Sequence, residues 1–310
     1  MLQEFNRQRG KDFEITVHEN RKEALKDVDF VMTTFSPGSM DSFYNDLEIP
    51  IKYGIHLPVS MTVGIPGISA AIKTVPVAYE IVEDMEEMCP GAWLLNVTNP
   101  MSAVTRAMNK AAKTIKVVGM CHEFHDLPTY LGPILGLYQP YGMDTLDYIY
   151  NWLPDQGFEY TIAGLNHFIW LTKATLKGQD VIPVIKAYCE KFNRLKDDKM
   201  SQAELIKNGV YFDNTGEVKM ALCRQFGYLP MVGDRHLIEF YPNLCNLRNG
   251  FGLKYNVVKT TIDSRKAYIQ DCYEEVKDYA EGRKTVDWTR SGEEMIVIMR
   301  VALKGGSTTA

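Results

Sequence analysis

The order of apolar and polar positions splits the chain into a regular first part and a looser second part. Residues 13–18 (Phe-Glu-Ile-Thr-Val-His) alternate with the period of a strand. A short polar helix is predicted over 20–27, followed by a compact apolar run over 29–35 that stops at the Ser36-Pro37-Gly38 turn signal. Helical spacing covers 70–88, with an interruption near Pro76. Pro90-Gly91 ends it, and 92–97 (Ala-Trp-Leu-Leu-Asn-Val) reads as a second short strand. Thr98-Asn99-Pro100 then supplies a helix start, a polar cap before a proline whose missing N–H costs nothing there. The helix, about 101–113, leads to a third apolar run at 115–119. This β-α-β-α-β order predicts an α/β fold, a mostly parallel sheet with helices on both faces.

Beyond about residue 126 the alternation loosens. Strands are expected near 160–165 and 168–176, and helices over 201–227 and 255–282. The Gly- and Pro-bearing stretch 128–140 marks where a second lobe begins. No internal repeat or low-complexity segment is present.

Composition narrows the classes. The chain has 310 residues, 45% of them hydrophobic and 24% charged, enough for one large or two moderate globular domains. A net charge of −5, from 34 basic and 39 acidic residues, disfavours a nucleic-acid binder, which would carry a basic stripe. No uninterrupted apolar run approaches the roughly 18 residues that read as a membrane span. The six cysteines are scattered without a C-x-x-C pair, so they form no disulfide framework. With no signal-peptide pattern at the start, the cytoplasm is the expected compartment.

In open α/β sheets, ligands bind beyond the carboxyl ends of the strands. Three segments lie there. Ser36-Pro37-Gly38 follows the first run. Asn96-Val97-Thr98-Asn99-Pro100 places two amides and a hydroxyl at a helix start, serving either a ligand or a plain cap. Cys121-His122-Glu123 offers thiolate, imidazole and carboxylate, all metal ligands or acid–base groups. A second imidazole, in Gly164-Leu165-Asn166-His167, ends another strand-like run. Set against this, single Cys and His residues are often buried core residues. A third cluster, Gly233 to Pro242, holds Asp234, Arg235, His236, Glu239 and Tyr241. It reads either as a reactive cluster or as a solvated helix start, with Asp234 as cap and an Arg235–Glu239 pair at i, i+4.

Together these segments resemble glycoside hydrolase family four, the NAD- and divalent-metal-dependent glycosidases related in fold to lactate and malate dehydrogenases. The matching pieces stand in the family's order. They are the Asp-Phe-Val strand, residues 46–54 (Asp-Leu-Glu-Ile-Pro-Ile-Lys-Tyr-Gly), Gly64-Ile65-Pro66-Gly67-Ile68 and Lys73-Thr74-Val75-Pro76. Then come residues 96–100, Cys121-His122-Glu123 and Ala163-Gly164-Leu165-Asn166-His167. The resemblance implies an incomplete Rossmann-like parallel sheet over 1–126, followed by an α+β substrate and metal domain over 127–310. It implies NAD and manganese, or another divalent ion, as cofactors, a small-molecule glycoside as substrate, and a homo-oligomer.

The implied reaction is oxidation at C3 of the sugar by NAD, loss of the C2 proton to a base and elimination at C1, with the metal as Lewis acid. Cys121 and His167 match the family's metal ligands, and His122 its general acid. Asn99, Asn166 and Arg235 are expected at the substrate; Asn96, Thr34 and Pro37 at the cofactor. Asp234, His236 and Tyr241 are the candidates for the base. Cys-His-Glu resembles the branch acting on α-uronides, galacturonic or glucuronic, whose carboxylate needs a cation; Arg235 and Arg248 are available. The other sugars in view are α-galactosides and α-glucosides.

The family's G-x-G-x-x-G strand-turn-helix is not found, and the chain is expected to be truncated at both ends. Two alternatives stand beside the glycosidase: a malate- or lactate-type 2-hydroxyacid dehydrogenase, and a non-catalytic fragment.

Overall fold

A computed structural model describes residues 4, 6, 7, 10, 13–121, 127–192 and 216–285. Helix α1 (Arg21–Leu25) precedes strand β1 (Phe30–Thr33), and helices α2 (Met40–Ile51) and α3 (Gly64–Met88) follow it. Strand β2 (Trp93–Asn96), helix α4 (Met101–Ala111) and strand β3 (Lys116–Gly119) complete the first unit. The strands are parallel in the order β1-β2-β3, with Val31 beside Leu94 and Leu94 beside Val117. Each is a short continuous apolar run, as burial within a parallel sheet requires.

One face of this sheet carries the core. Leu94 packs with Ala78, Ile81, Val82 and Met85 of α3 and with Val104 and Met108 of α4. The strand-to-helix approach is tight at Gly119, where a Cβ would lie 2.4 Å from Met101 Sδ and from Thr105 Oγ1. Glu86 of α3 fastens the turn before β3 by accepting the amides of Lys113, Thr114 and Ile115.

Several expectations are corrected. The opposite face of the sheet is not covered throughout among the described residues: Met32 is 51% exposed and Lys116 lies over the Trp93 ring. Residues 13–18 form no strand, and Phe13 and Val17 are exposed. Alternation alone supplies no partner for a ladder. Helix α3 starts at Gly64 and runs unbroken through Pro76. Pro76 is on the exposed side, where the carbonyl that loses its N–H partner faces solvent. By length and composition α3 could cross a bilayer, which counting uninterrupted apolar runs did not register; in the fold its inner face is core. At α4, Pro100 occupies the cap position itself, and Asn99 Oδ1 accepts the Met101 amide at 3.3 Å.

The second part begins with α5 (Leu127–Leu135) and a helical stretch over 145–155. Strands β4 (Phe158–Leu165) and β5 (Phe168–Leu176) form an antiparallel hairpin, extended by β6 (Gln179–Asp180). Helices α6 (Ile182–Lys191) and α7 (Glu217–Phe226) lead to β7 (Leu229–Pro230), which pairs with β5. Helix α8 (Asp234–Leu237) and helix α9 (Ile262–Ala280) follow. The predicted helix over 255–282 thus starts only at Ile262, where Thr261 and Ser264 form a capping box. Of the predicted helix over 201–227, residues 201–215 lie outside the described residues. Tyr148, Phe158, Leu171, Ile185, Met220 and Leu229 anchor this core. All six cysteines are described, and no disulfide forms.

Candidate functional site

Two loops meet at one point. Cys121 stands two residues past β3, and Gly119 lets that strand end press close to α4. His167 is the second residue of the two-residue turn between β4 and β5. Its φ of 61° places it in the left-handed region, which histidine enters more readily than most side chains. Ahead of the turn, a Cβ at Gly164 would fall 2.2 Å from the Phe168 carbonyl, so only glycine allows the hairpin to close as it does.

Across 46 residues of sequence, Cys121 Sγ lies 3.4 Å from His167 Nε2. His167 is buried and Cys121 half-buried. An ion about 2.3 Å from a thiolate and about 2.1 Å from an imidazole nitrogen, at an angle of about 90–110°, sets such donors about 3.1–3.6 Å apart. The observed spacing fits a shared cation. A soft thiolate and an imidazole also leave coordination positions for oxygen ligands. Among the described residues no group of three His, Cys, Asp or Glu side chains is arranged to hold an ion. His122 lies outside the described residues.

Helix α8 brings a further imidazole. The His236 ring stacks on His167 with centroids 3.9 Å apart and planes tilted by 30°. Tyr241 packs beside Phe168 at 5.9 Å, within the aromatic group that flanks the hairpin turn, and burial pushes its hydroxyl pKa up.

Other expected residues have different work. Asp234 is buried and caps α7, accepting the Val218 amide at 3.1 Å and the Lys219 amide at 3.0 Å. Burial raises its pKa against the pull of Lys219 and these amides. With both oxygens so engaged, it is corrected from candidate base to helix cap. Arg235 donates to Val258 O (2.9 Å), Pro58 O (3.1 Å) and Thr260 Oγ1 (2.8 Å). These bonds, through Nε and Nη2, make it a tie between segments. Asn96 is fully buried; Oδ1 accepts Thr33 Oγ1 and the Thr98 amide, and Nδ2 donates to Thr105 Oγ1 and Thr98 O. It locks the ends of β1 and β2 and has nothing left for a cofactor, which corrects that expectation.

Thr34 and Asn99 are exposed at the carboxyl ends of β1 and β2, and Pro37 is half-buried in the turn after β1. Asn166 Oδ1 is buried beside His167, with no hydrogen-bond partner among the described residues.

Sequence reasoning missed the burial of several charged residues, Glu239 and Lys219 among them. Glu239, read either as part of a reactive cluster or as a surface partner of Arg235, is buried and accepts the amides of Val59 at 2.6 Å and Ser60 at 2.9 Å. Lys219 is wholly buried, its Nζ 3.6 Å from the centroid of the Tyr130 ring. Neither carries a local signal, because their partners lie far away in sequence.

Residues 1–136 match the family model for Family 4 glycosyl hydrolase, and residues 162–309 match that for the Family 4 glycosyl hydrolase C-terminal domain. The chain belongs to glycosyl hydrolase family 4. The alpha-galacturonidase of Thermoanaerobacter italicus is 30% identical to this family 4 chain over 287 residues, 92% of this chain and 60% of the relative. The crystal structure of lplD from Bacillus subtilis is 27% identical with a TM-score of 0.75, covering 93% of this chain and 63% of that one. A 6-phospho-alpha-glucosidase from gut microorganisms, solved in complex with NAD and Mn2+, has a TM-score of 0.66 at 18% identity. That alignment covers 98% of this chain and 64% of that one, and shows the shared fold. The chain spans about three fifths of the length of the alpha-galacturonidase. Family membership sets aside the 2-hydroxyacid dehydrogenase alternative.

Proposed function

We propose that this family 4 chain cleaves α-glycosides of uronic acids, α-galacturonides first, with NAD and a divalent cation, manganese first, as cofactors. The observation that carries the reading is the Cys121–His167 contact, which joins the end of the parallel sheet to the tip of the hairpin. The sugar assignment is supported by the alpha-galacturonidase relative. When bound, the two cofactors supply a hydride acceptor for C3 and a Lewis acid for the sugar oxygens.

The chain's own residues would do the following. Cys121, as thiolate, and His167 hold the cation and leave its remaining positions open. Asn99 uses Oδ1 on the Met101 amide, which leaves its NH2 group to donate to a sugar hydroxyl. Asn166 Oδ1 accepts from a second hydroxyl. His236 and Tyr241 are the remaining candidates for taking the C2 proton, and His122 is the candidate acid for the leaving group. Thr34 and Pro37 border the cofactor side of the strand ends. With Arg235 committed, exposed Arg248 is the remaining basic candidate for the uronate carboxylate.

The test is hydrolysis of paired aryl α-galacturonide and α-galactoside with NAD, manganese and a reductant present. Faster turnover of the galacturonide is expected. Good cleavage of the neutral galactoside with none of the galacturonide would overturn the uronide assignment.

A further inference from the structure

Two further thiols meet where helices α6 and α7 pack together. Cys189 stands in the last turn of α6 and Cys223 in the last turn of α7. Both are fully buried in the same apolar core, and their thiols share a hydrogen bond. The two helix ends interlock around them. Arg224, next to Cys223, donates to Cys189 O at 2.8 Å and to Phe192 O at 3.2 Å. Lys186, one turn before Cys189, crosses to the far end of α7, where a Cβ on Gly227 would lie 3.1 Å from its Nζ. In this register Lys186 meets Gly227 while Cys189 meets Cys223 and Arg224.

Buried cysteines are ordinarily inert, because burial raises the thiol pKa and only the thiolate attacks. This pair departs from that rule in two ways. The Cys223 pKa is lowered, first by the hydrogen bond with Cys189 and then by Lys186 and Arg224, against the effect of burial. The same hydrogen bond raises that of Cys189 and keeps it a thiol. One sulfur is thus suited to attack and the other to resolve. The turns that carry them also reach the surface, since Lys186, Glu190 and Arg224 are exposed. Helix ends open more readily than helix middles, which admits a small oxidant.

We infer that Cys189 and Cys223 are an oxidative modification site, forming a reversible disulfide that fastens α6 to α7 when the chain meets hydrogen peroxide. The Cys223 sulfur attacks one peroxide oxygen. An S–O bond forms, the O–O bond breaks, and the other oxygen leaves as water with the Cys223 proton. The Cys189 sulfur then displaces the sulfenic oxygen. The S–S bond forms, the S–O bond breaks, and that hydroxyl leaves with the Cys189 proton as a second water. Two thiols lose two electrons, and one peroxide is reduced to two waters. A dithiol reductant undoes the bond by exchange.

The bond would constrain the unfolded chain between residues 189 and 223. It also steadies the helix whose first amides hold Asp234 at the head of α8. The inference is independent of the glycosidase reading, since neither residue belongs to the Cys121–His167 site.

The full chain, reduced and then freed of reductant, tests it. After treatment with hydrogen peroxide, the chain is unfolded in guanidinium with iodoacetamide and mapped by peptide mass spectrometry. Residues 189 and 223 are expected joined, with no label on either. The melting temperature is expected to rise by about 5–10 °C, to return after dithiothreitol, and to show no such gain in Cys189→Ala. The bridge is expected to persist in Cys121→Ser, which separates it from oxidation at the metal site. Should Cys189→Ala fail to fold, Cys223→Ser takes its place, and the wild-type peptide map decides by itself. Iodoacetamide on both residues after peroxide, a bridge from either to another cysteine, or the same thermal gain in Cys189→Ala overturns the inference.

Discussion

Glu239 accepts the backbone amide of Ser60 at 2.9 Å although 179 residues separate them in sequence. The Val59 amide joins on the same oxygen, and Arg235 and the Thr260 amide both donate to Pro58 O, so the second part of the chain grips the segment that leads into α3. Burial raises the Glu239 pKa to about 7, against the two amides and Arg235, which lower it.

A pH dependence of stability follows. A free Glu titrates near about 4.3, so a folded value near 7 means folding favours the protonated acid. The stabilising contribution is complete below about pH 4 and is lost as pH rises through about 7, about 3 kcal/mol in all. Relative to Glu239→Gln, the wild-type melting temperature should fall between about pH 5 and 8. Parallel profiles for the two proteins would refute the assignment.

Asp234 offers a test of cap against base. Asp234→Ala removes both acceptors at the start of α7 and should cost about 2 kcal/mol or more, read as a shift of the denaturation midpoint. Divalent-metal affinity should change little. A base would show the reverse: turnover lost with the midpoint unmoved.

Gly119 sets the approach of β3 to α4 and so the position of Cys121. Gly119→Ala forces a methyl group against Met101 and Thr105, and should destabilise the chain by about 1–3 kcal/mol. Metal affinity should weaken with it. Unchanged stability would mean that the strand and helix have more freedom than their packing shows.

Much of the fold was legible in the residue pattern. Residues 29–35, 92–97 and 115–119 announce themselves because the strands of a parallel sheet run as short, mostly apolar stretches. Residues 13–18 misled because alternation says nothing about whether a neighbouring strand exists. At the site, Cys121 and His167 stand out by their place at the ends of apolar runs, and their reading as metal ligands rests on the family resemblance. Asn96, Asp234 and Arg235 show structural partners that the sequence could not reveal, for a physical reason: amides, carboxylates and guanidinium groups that bind ligands are the same groups that satisfy buried backbone. Only the three-dimensional partners, such as Thr33, Val218 and Val258, tell the two uses apart.

The central claim is that one cation is shared by a sulfur and an imidazole from separate loops. Cobalt(II) titration of the full chain tests it, since a thiolate ligand gives an intense near-ultraviolet charge-transfer band. The account predicts that band in the wild type, its loss in Cys121→Ser, and at least about 100-fold weaker binding in His167→Ala. Cobalt binding without the band, or with equal affinity in all three proteins, would contradict it.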